Sequence, residues 1–341
     1  MLNKELILGI ESSCDDSSVA LMDAKTYELV FYKKITQESE HAKFGGVVPE
    51  LAARLHTATL PNLALELKPY FKDIKAIAVT NEPGLSVSLI GGVSMAKALS
   101  ISLNVPLIAV NHLIGHIYSL FLNSKSEFPL GVLLASGGHT MVLEISKDAK
   151  VNVLVATSDD SYGESFDKVA KMMGLGYPGG PLIEKAALAC SKDKFNFTIP
   201  LKNDKTRLEY SFSGLKNQVR LAVNDLGENL NNEQISEISY SFQKAATAHI
   251  IDKLKIIFKK YKFSSFGVVG GASANLTLRS KLESLSEIYN TKLLLTPLKF
   301  CSDNAAMIAR VGVEKYKKGE FISYKELQIH PRSNLDGIYI L

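Results

Sequence analysis

The stretch LILGIESSCDDSSVALMDAKTYELVFYKKIT, Leu6 to Thr36, reads as an apolar strand, a small polar turn, a second strand, a looser turn and a third strand. LGVLLASGGHTMVLEISKDAKVNVLVATSD, Leu130 to Asp159, repeats that order, so two similar halves are predicted. After each trio the apolar periodicity turns helical, as in VVPELAARLHTATLPNLALELKPYF, and then alternates with short strands such as KAIAVT (Lys75 to Thr80) and VPLIAV (Val105 to Val110). This is the pattern of an α/β protein with helices packed on mixed sheets.

At 341 residues the chain exceeds the usual size of a single core, which agrees with two lobes. A hydrophobic content of 46% with 22% charged residues is that of a globular protein. The apolar run at the N-terminus is broken by Glu5 and Glu11, too short for a signal h-region or a membrane span, which points to the cytoplasm and away from a membrane. Three widely spaced cysteines (Cys14, Cys190, Cys301) with no CxxC argue against a disulfide framework and a thiolate zinc site. A net charge of +4, spread along the chain, permits a polyanionic partner without demanding one. The densest basic segment, DKLKIIFKKYKF from Asp252 to Phe263, alternates with apolar residues at helical spacing and reads first as a solvated outer helix face, with a phosphate-contacting face as the second reading.

Both echoing turns, ESSCDDSS and ASGGHTM, lie between two strands. The N–H groups of such Ser- and Gly-rich hairpins can wrap a phosphate, and Asp15 can hold a cation or a water. FGVVGGASANLTLRSKLESL, Phe266 to Leu285, is a strand, a glycine pair and an amphipathic helix opened by Ser273 and Asn275. Its Gly270–Gly271 turn lets backbone approach a ribose or phosphate; a tight turn with Ser273 as N-cap is an equal reading. In GESFDKVAKMMG, ahead of LGYPGGP, Asp167 lies near the middle of a helix and off its apolar stripe, placed to accept hydrogen bonds from ribose hydroxyls or simply to meet solvent.

AVNHLIGHIYSL sets His112 and His116 one helical turn apart, after Asn111 as N-cap and away from the stripe of Leu113, Ile117, Leu120 and Phe121. Two imidazoles so placed can converge on one ion, although a histidine beside a core is commonly structural. The residues between them are Leu, Ile and Gly, so the general-base glutamate of an HExxH peptidase is absent. A third ligand has to come from elsewhere. FCSDNAAMIA offers Asp303 at a helix start, where a carboxylate is also favoured by the helix dipole, and spacing alone does not bring it to the histidines.

GIESSCDDSSVAL, GGVVPELAARLH, NHLIGH, SGGHT, GESFDKVAKMMGLGYPGGP, YSFSGLKNQ, GGASANLTLR and FCSDNAAMIA occur in the order found in the bacterial tRNA N6-adenosine threonylcarbamoyltransferases, once labelled O-sialoglycoprotein endopeptidases. The resemblance runs from about Leu6 to Arg332. It implies the actin-like ATPase (ASKHA) fold, two duplicated lobes with mixed sheets flanked by helices and a ligand cleft between them. An N-terminal lobe of residues 1–128 would carry the histidine pair. A C-terminal lobe of residues 129–341 would carry a helical insertion, its last helix a candidate to return to the N-terminal lobe.

By motif, His112, His116 and Asp303 would bind one divalent metal, Fe(II) first and Zn(II) as the alternative, and Leu134, Ala135, Ser136, Gly137, Gly138, Asp167, Gly180 and Asn275 would bind the adenylate. The implied activity transfers threonylcarbamoyl from threonylcarbamoyl-adenylate to N6 of adenosine 37 in tRNAs reading ANN codons. Asp15 is the candidate for a base, or for the group that orients a water or the attacking amine. The implied partners are tRNA, a catalytically silent paralogue of the same fold and a small P-loop ATPase.

The chain departs from the family pattern at Glu82 and Val87 of NEPGLSVSL, where glycines are common, and at Ile114, where a glutamate often stands. The last departure removes a carboxylate that could support the metal ligands from outside. Rival readings are a metal-dependent peptidase and a noncatalytic actin-like nucleotide-binding scaffold.

Overall fold

A computed structural model describes residues 4–202, 204, 206–227 and 229–340, and these form two compact units, Met1–Glu127 with Asp303–Leu341, and Phe128–Ser302. The first unit starts with β1 (Leu6–Glu11), β2 (Asp16–Asp23) and β3 (Leu29–Thr36), followed by α1 (Glu38–Ala42), α2 (Pro49–Glu66), β4 (Ile74–Glu82), α3 (Ser86–Leu103), β5 (Leu107–Asn111) and α4 (His112–Tyr118). Its sheet has the order β3-β2-β1-β4-β5, with β1–β3 antiparallel and β1, β4 and β5 parallel. Helix α3 has the length and hydropathy of a membrane span, and it packs on α2 and β4 with Ser88, Leu89, Gly92, Val93, Ala96 and Ser100 buried.

The second unit contains β6 (Leu130–Ala135), β7 (Thr140–Ile145), β8 (Val151–Ala156), α5 (Tyr162–Met172), α6 (Gly179–Ala187), α7 (Ser213–Leu226), α8 (Asn232–Lys260), β9 (Ser265–Val269), α9 (Leu276–Ile288) and β10 (Lys292–Leu295). Its order, β10-β9-β6-β7-β8, is that of the first sheet with β6–β8 in place of β1–β3 and β9 and β10 in place of β4 and β5. The strand-trio echo is therefore a duplication of topology. The core of this unit is aromatic, with Tyr162, Phe166, Tyr210, Phe212, Phe242 and Phe266 all nearly inaccessible.

The last helix, α10 (Ala305–Lys318), belongs to the first unit, so the second unit ends at Ser302 and not at residue 341. Packing explains the boundary. Helix α10 lies on β1, β2 and β4, and a Cβ on Gly9 of β1 would come within 2.4 Å of the Ala305 carbonyl, so only glycine permits the approach. The fully buried Arg310 donates to the carbonyls of Phe121 (2.7 Å) and Ser124 (2.9 Å), and Ser18 Oγ accepts from Ala305 N at 3.0 Å.

Two local expectations change. Asn275, not Ser273, caps α9, accepting from Leu278 N at 2.8 Å. On α8, Lys253 leaves the solvated lysine face altogether: it is fully buried, and its Nζ donates at 2.8 Å to the carbonyls of Leu201 and Asp204.

Candidate functional site

The end of β5 and the starts of α4 and α10 build the first-unit site. Asn111 closes β5 and caps α4 by accepting from Leu113 N (2.9 Å) and Ile114 N (3.3 Å), which sets His112 as the first helical residue and His116 one turn on. Asn304 caps α10 by accepting from Met307 N at 3.0 Å, so Asp303 stands just outside that helix. One ligand atom each from His112, His116 and Asp303 lies within 4.8 Å of the others. The Nε2 atoms of His112 and His116 are 3.4 and 3.3 Å from Asp303 Oδ1. His116 is inaccessible, whereas Asp303 keeps 24% of its side-chain surface, so the trio opens to solvent on the carboxylate side.

The electrostatics follow from crowding charge into a buried corner. Burial pushes the Asp303 carboxyl up, but the charge of His112 and the contacts of both rings override it and hold the carboxyl well below the usual range. Burial pulls His112 down, and the Asp303 and Glu11 carboxylates reverse the effect and raise it well above an ordinary histidine. Burial lowers His116 below an ordinary histidine, against the pull of the Asp303 carboxylate. Two imidazole nitrogens and a carboxylate form a donor set for a divalent ion of borderline softness. His116 fits such an ion: its Nδ1 is buried without a hydrogen-bond partner among the described residues, and its Nε2 lies 3.3 Å from Asp303 Oδ1, so the ring's polar edge faces the carboxylate of the trio.

Asp15 is not in the trio. It sits in the β1–β2 turn, where its carbonyl accepts from Gln37 N at 3.2 Å. Its neighbour Asp16 is tied in more closely, through Lys34 Nζ, which donates to Asp16 Oδ2 (2.7 Å) and to the Asp303 carbonyl (3.3 Å). Burial pushes the Asp16 carboxyl up to about 6 against the pull of Lys34.

The second-unit residues make a different surface. Leu134 and Ala135 end β6 with their side chains fully buried, so they can offer a ligand only backbone. Ser136 closes the turn, its N donating to the His139 carbonyl at 2.8 Å and its Oγ accepting from His139 N at 3.0 Å. Gly137 and Gly138 are exposed, and a Cβ on either, or on Gly180, would meet nothing within 4 Å. Ser161, the cap of α5, donates to the Gly137 carbonyl at 2.7 Å and so joins this turn to the helix of Asp167. Asp167 Oδ1 accepts from Gly179 N at 2.7 Å and fixes the start of α6 beside Gly180. Asn275, besides capping α9, donates from Nδ2 to Gln243 Oε1 at 2.8 Å. Gly270, at φ 93°, lies so close to β6 that a Cβ would come within 2.3 Å of the Ala135 carbonyl.

A sequence profile described as tRNA N6-adenosine threonylcarbamoyltransferase matches residues 28–310. The protein of that description from Campylobacter curvus is 66% identical over 337 residues, 96% of this chain and 99% of the relative. That from Campylobacter hominis is 65% identical, covering 98% of this chain and 100% of the relative. The chain belongs to this family. It is therefore an acyltransferase of tRNA modification. Among solved structures, HypF from T. kodakarensis aligns with a TM-score of 0.61 at 12% identity over 96% of this chain and 49% of that one. The activator of the 2-hydroxyisocaproyl-CoA dehydratase from Clostridium difficile aligns at 0.51 and 13% identity over 92% and 97%. These likenesses establish the actin-like ATPase fold.

Sequence reasoning missed Glu11, Ser13 and Thr80. Glu11 is inaccessible at the end of β1; Ser13 N donates to its Oε1 (2.6 Å), Thr80 Oγ1 donates to its Oε2 (2.5 Å), and His112 Nδ1 lies 3.2 Å from Oε2. The family departures are accommodated locally. Ile114 is buried, and Glu82 Oε1 accepts from Asn111 Nδ2 at 3.2 Å.

Proposed function

We propose that this transferase takes threonylcarbamoyl-adenylate as donor and forms N6-threonylcarbamoyladenosine at position 37 of tRNAs that read ANN codons. N6 of the adenosine attacks the carbamoyl carbon, a C–N bond forms, the C–O bond to the phosphate breaks, and AMP leaves with the electron pair. What supports this reading is the convergence of His112, His116 and Asp303 in a chain of this family. Those three would hold one divalent ion, Fe(II) first and Zn(II) as the alternative, and a Lewis acid at that point supplies positive charge to the acyl phosphate.

The remaining tasks fall to the chain itself. Main chain at Leu134–Gly138 and Gly180 approaches the adenylate, because no side chain intervenes at the glycines. Asp167 and Asn275 orient its ribose. An exocyclic adenine amine is a weak nucleophile, so holding it against an activated acyl carbon contributes more than early deprotonation. Asp15 is the assigned acceptor for the proton that N6 loses. We assign tRNA, a catalytically silent paralogue of the same fold and a small P-loop ATPase as partners, and the cytoplasm as the compartment. Basic surface would bind tRNA phosphates with an affinity that falls steeply in salt.

Depleting the protein and quantifying tRNA nucleosides by mass spectrometry tests the reading. Loss of threonylcarbamoyladenosine from tRNAs reading ANN codons is the expected result, and an unchanged level overturns it.

A further inference from the structure

We propose that Glu11 is a positioning residue for the metal site, its carboxylate holding the Nδ1–H of His112 so that the Nε2 lone pair is turned toward Asp303. The proposal rests on the metal-binding reading of the trio. The carboxylate is itself immobilised: it accepts from Ser13 N at 2.6 Å and from Thr80 Oγ1 at 2.5 Å, and it is inaccessible to solvent. An ionised carboxylate offers only acceptors, so the ring nitrogen 3.2 Å from Glu11 Oε2 must carry the hydrogen. Ser13 Oγ lies 3.1 Å from the same nitrogen and takes a share of it. With Nδ1–H held by Glu11, the proton that a bound ion would displace is the one on Nε2, and Nε2 is the atom that faces Asp303 at 3.4 Å.

Sheet order makes the arrangement inevitable once the sequence is threaded. Glu11 ends β1, Thr80 lies on β4 and His112 follows β5, and these three strands are neighbours in the order β1-β4-β5. Glu11 serves His112 alone; His116 Nδ1 is buried without a partner among the described residues, so the two histidines are unequal ligands. A carboxylate behind a ligating imidazole raises its basicity and fixes its ring, and losing such a partner costs about 10–100-fold in metal affinity.

The test compares wild type, E11Q, E11A and H116A. Zn(II) affinity is measured by competition with a chromogenic chelator, and the His112 ring by long-range 1H–15N correlation of the Zn(II)-loaded protein. The expected results are binding weakened about 10-fold in E11Q and about 100-fold in E11A, with the slowly exchanging Nδ1 proton of His112 present in wild type and lost in E11A. E11Q keeps the shape of the side chain and carries the test where E11A fails to fold. Wild-type affinity in both Glu11 variants while H116A binds nothing overturns this proposal alone. So does a drop in melting temperature with affinity and ring signals unchanged, since that is a purely structural role. A wild type that binds zinc no better than H116A overturns the metal reading and this proposal with it.

Discussion

The hairpin between β1 and β2 and the hairpin between β6 and β7 occupy the same place in two sheets of the same order, yet their turns are built in opposite ways. In the first, Glu11, Ser12 and Ser13 are all buried, and neighbouring elements clamp the turn: Leu85 N donates to the Ser13 carbonyl at 2.8 Å, and His56 Nε2 lies 2.9 Å from the Cys14 carbonyl. In the second, Gly137 and Gly138 face open space. The lesson is that a duplicated strand frame does not fix the chemistry of its turns. A filled turn becomes a wall behind the His112, His116 and Asp303 side chains, and a bare one leaves its main chain uncovered.

Substitutions break this comparison in graded steps. The largest effect belongs to the filled side. His116→Ala or Asp303→Ala removes a donor from the trio, and we expect metal content to vanish and turnover to fall by about 10^3-fold, the equivalent of ~4 kcal/mol of lost charge stabilisation. Metal analysis and a transfer assay on the same preparation check it, and retention of both quantities refutes the ligand assignment.

A smaller effect contrasts the buried histidines of the two units. His249 sits among Tyr210 and Phe212 and accepts from Ser211 N at 3.1 Å; burial lowers its pKa from 6.5 to about 4. The folded state therefore keeps it neutral where the unfolded chain binds a proton. Its stabilising contribution is complete above pH 6.5 and is lost as pH falls through about 4, ~3 kcal/mol in all. Denaturant unfolding from pH 7 to pH 4 should show this loss in wild type and a flatter profile in His249→Gln, which retains an acceptor. Parallel profiles would remove His249 as the cause.

The bare side carries the next two effects. Gly270→Ala puts a Cβ 2.3 Å from the Ala135 carbonyl in a left-handed backbone, so unfolding of the second unit should become easier by about 2–3 kcal/mol. A Cβ at Gly137 meets no protein atom within 4 Å, so in Gly137→Val stability should stay within about 0.5 kcal/mol while AMP binding, read by calorimetry, weakens by at least about 10-fold. Normal AMP affinity in Gly137→Val would show that the bare turn is not where the adenylate lies.

Much of this was legible in the sequence, and the limits have physical causes. The strand trios announced themselves through local alternation, and the Asn111 cap and the histidine spacing are properties of a few adjacent residues. Glu11 was not legible because an acid at the end of an apolar run reads as the strand's edge; its role depends on Thr80 and His112, 69 and 101 residues away, brought alongside by strand order. Asp303 joins the histidines only because α10 packs on β1 over Gly9. Lys253 looked like its solvated neighbours because helical spacing shows a face, not which face a loop will cover. Asn275 and Ser273 are both good caps, and only the 3-10 turn at Gly271–Ala274 decides between them.

The transfer step is proposed to need the ion that His112, His116 and Asp303 are assigned to hold. The decisive measurement is formation of threonylcarbamoyladenosine on tRNA from threonylcarbamoyl-adenylate by the protein with the proposed partners, first stripped of metal by a chelator and then titrated with Fe(II) or Zn(II). The predicted result is loss of the product on stripping and recovery that saturates at one ion per chain. Full product formation by metal-free protein would contradict it.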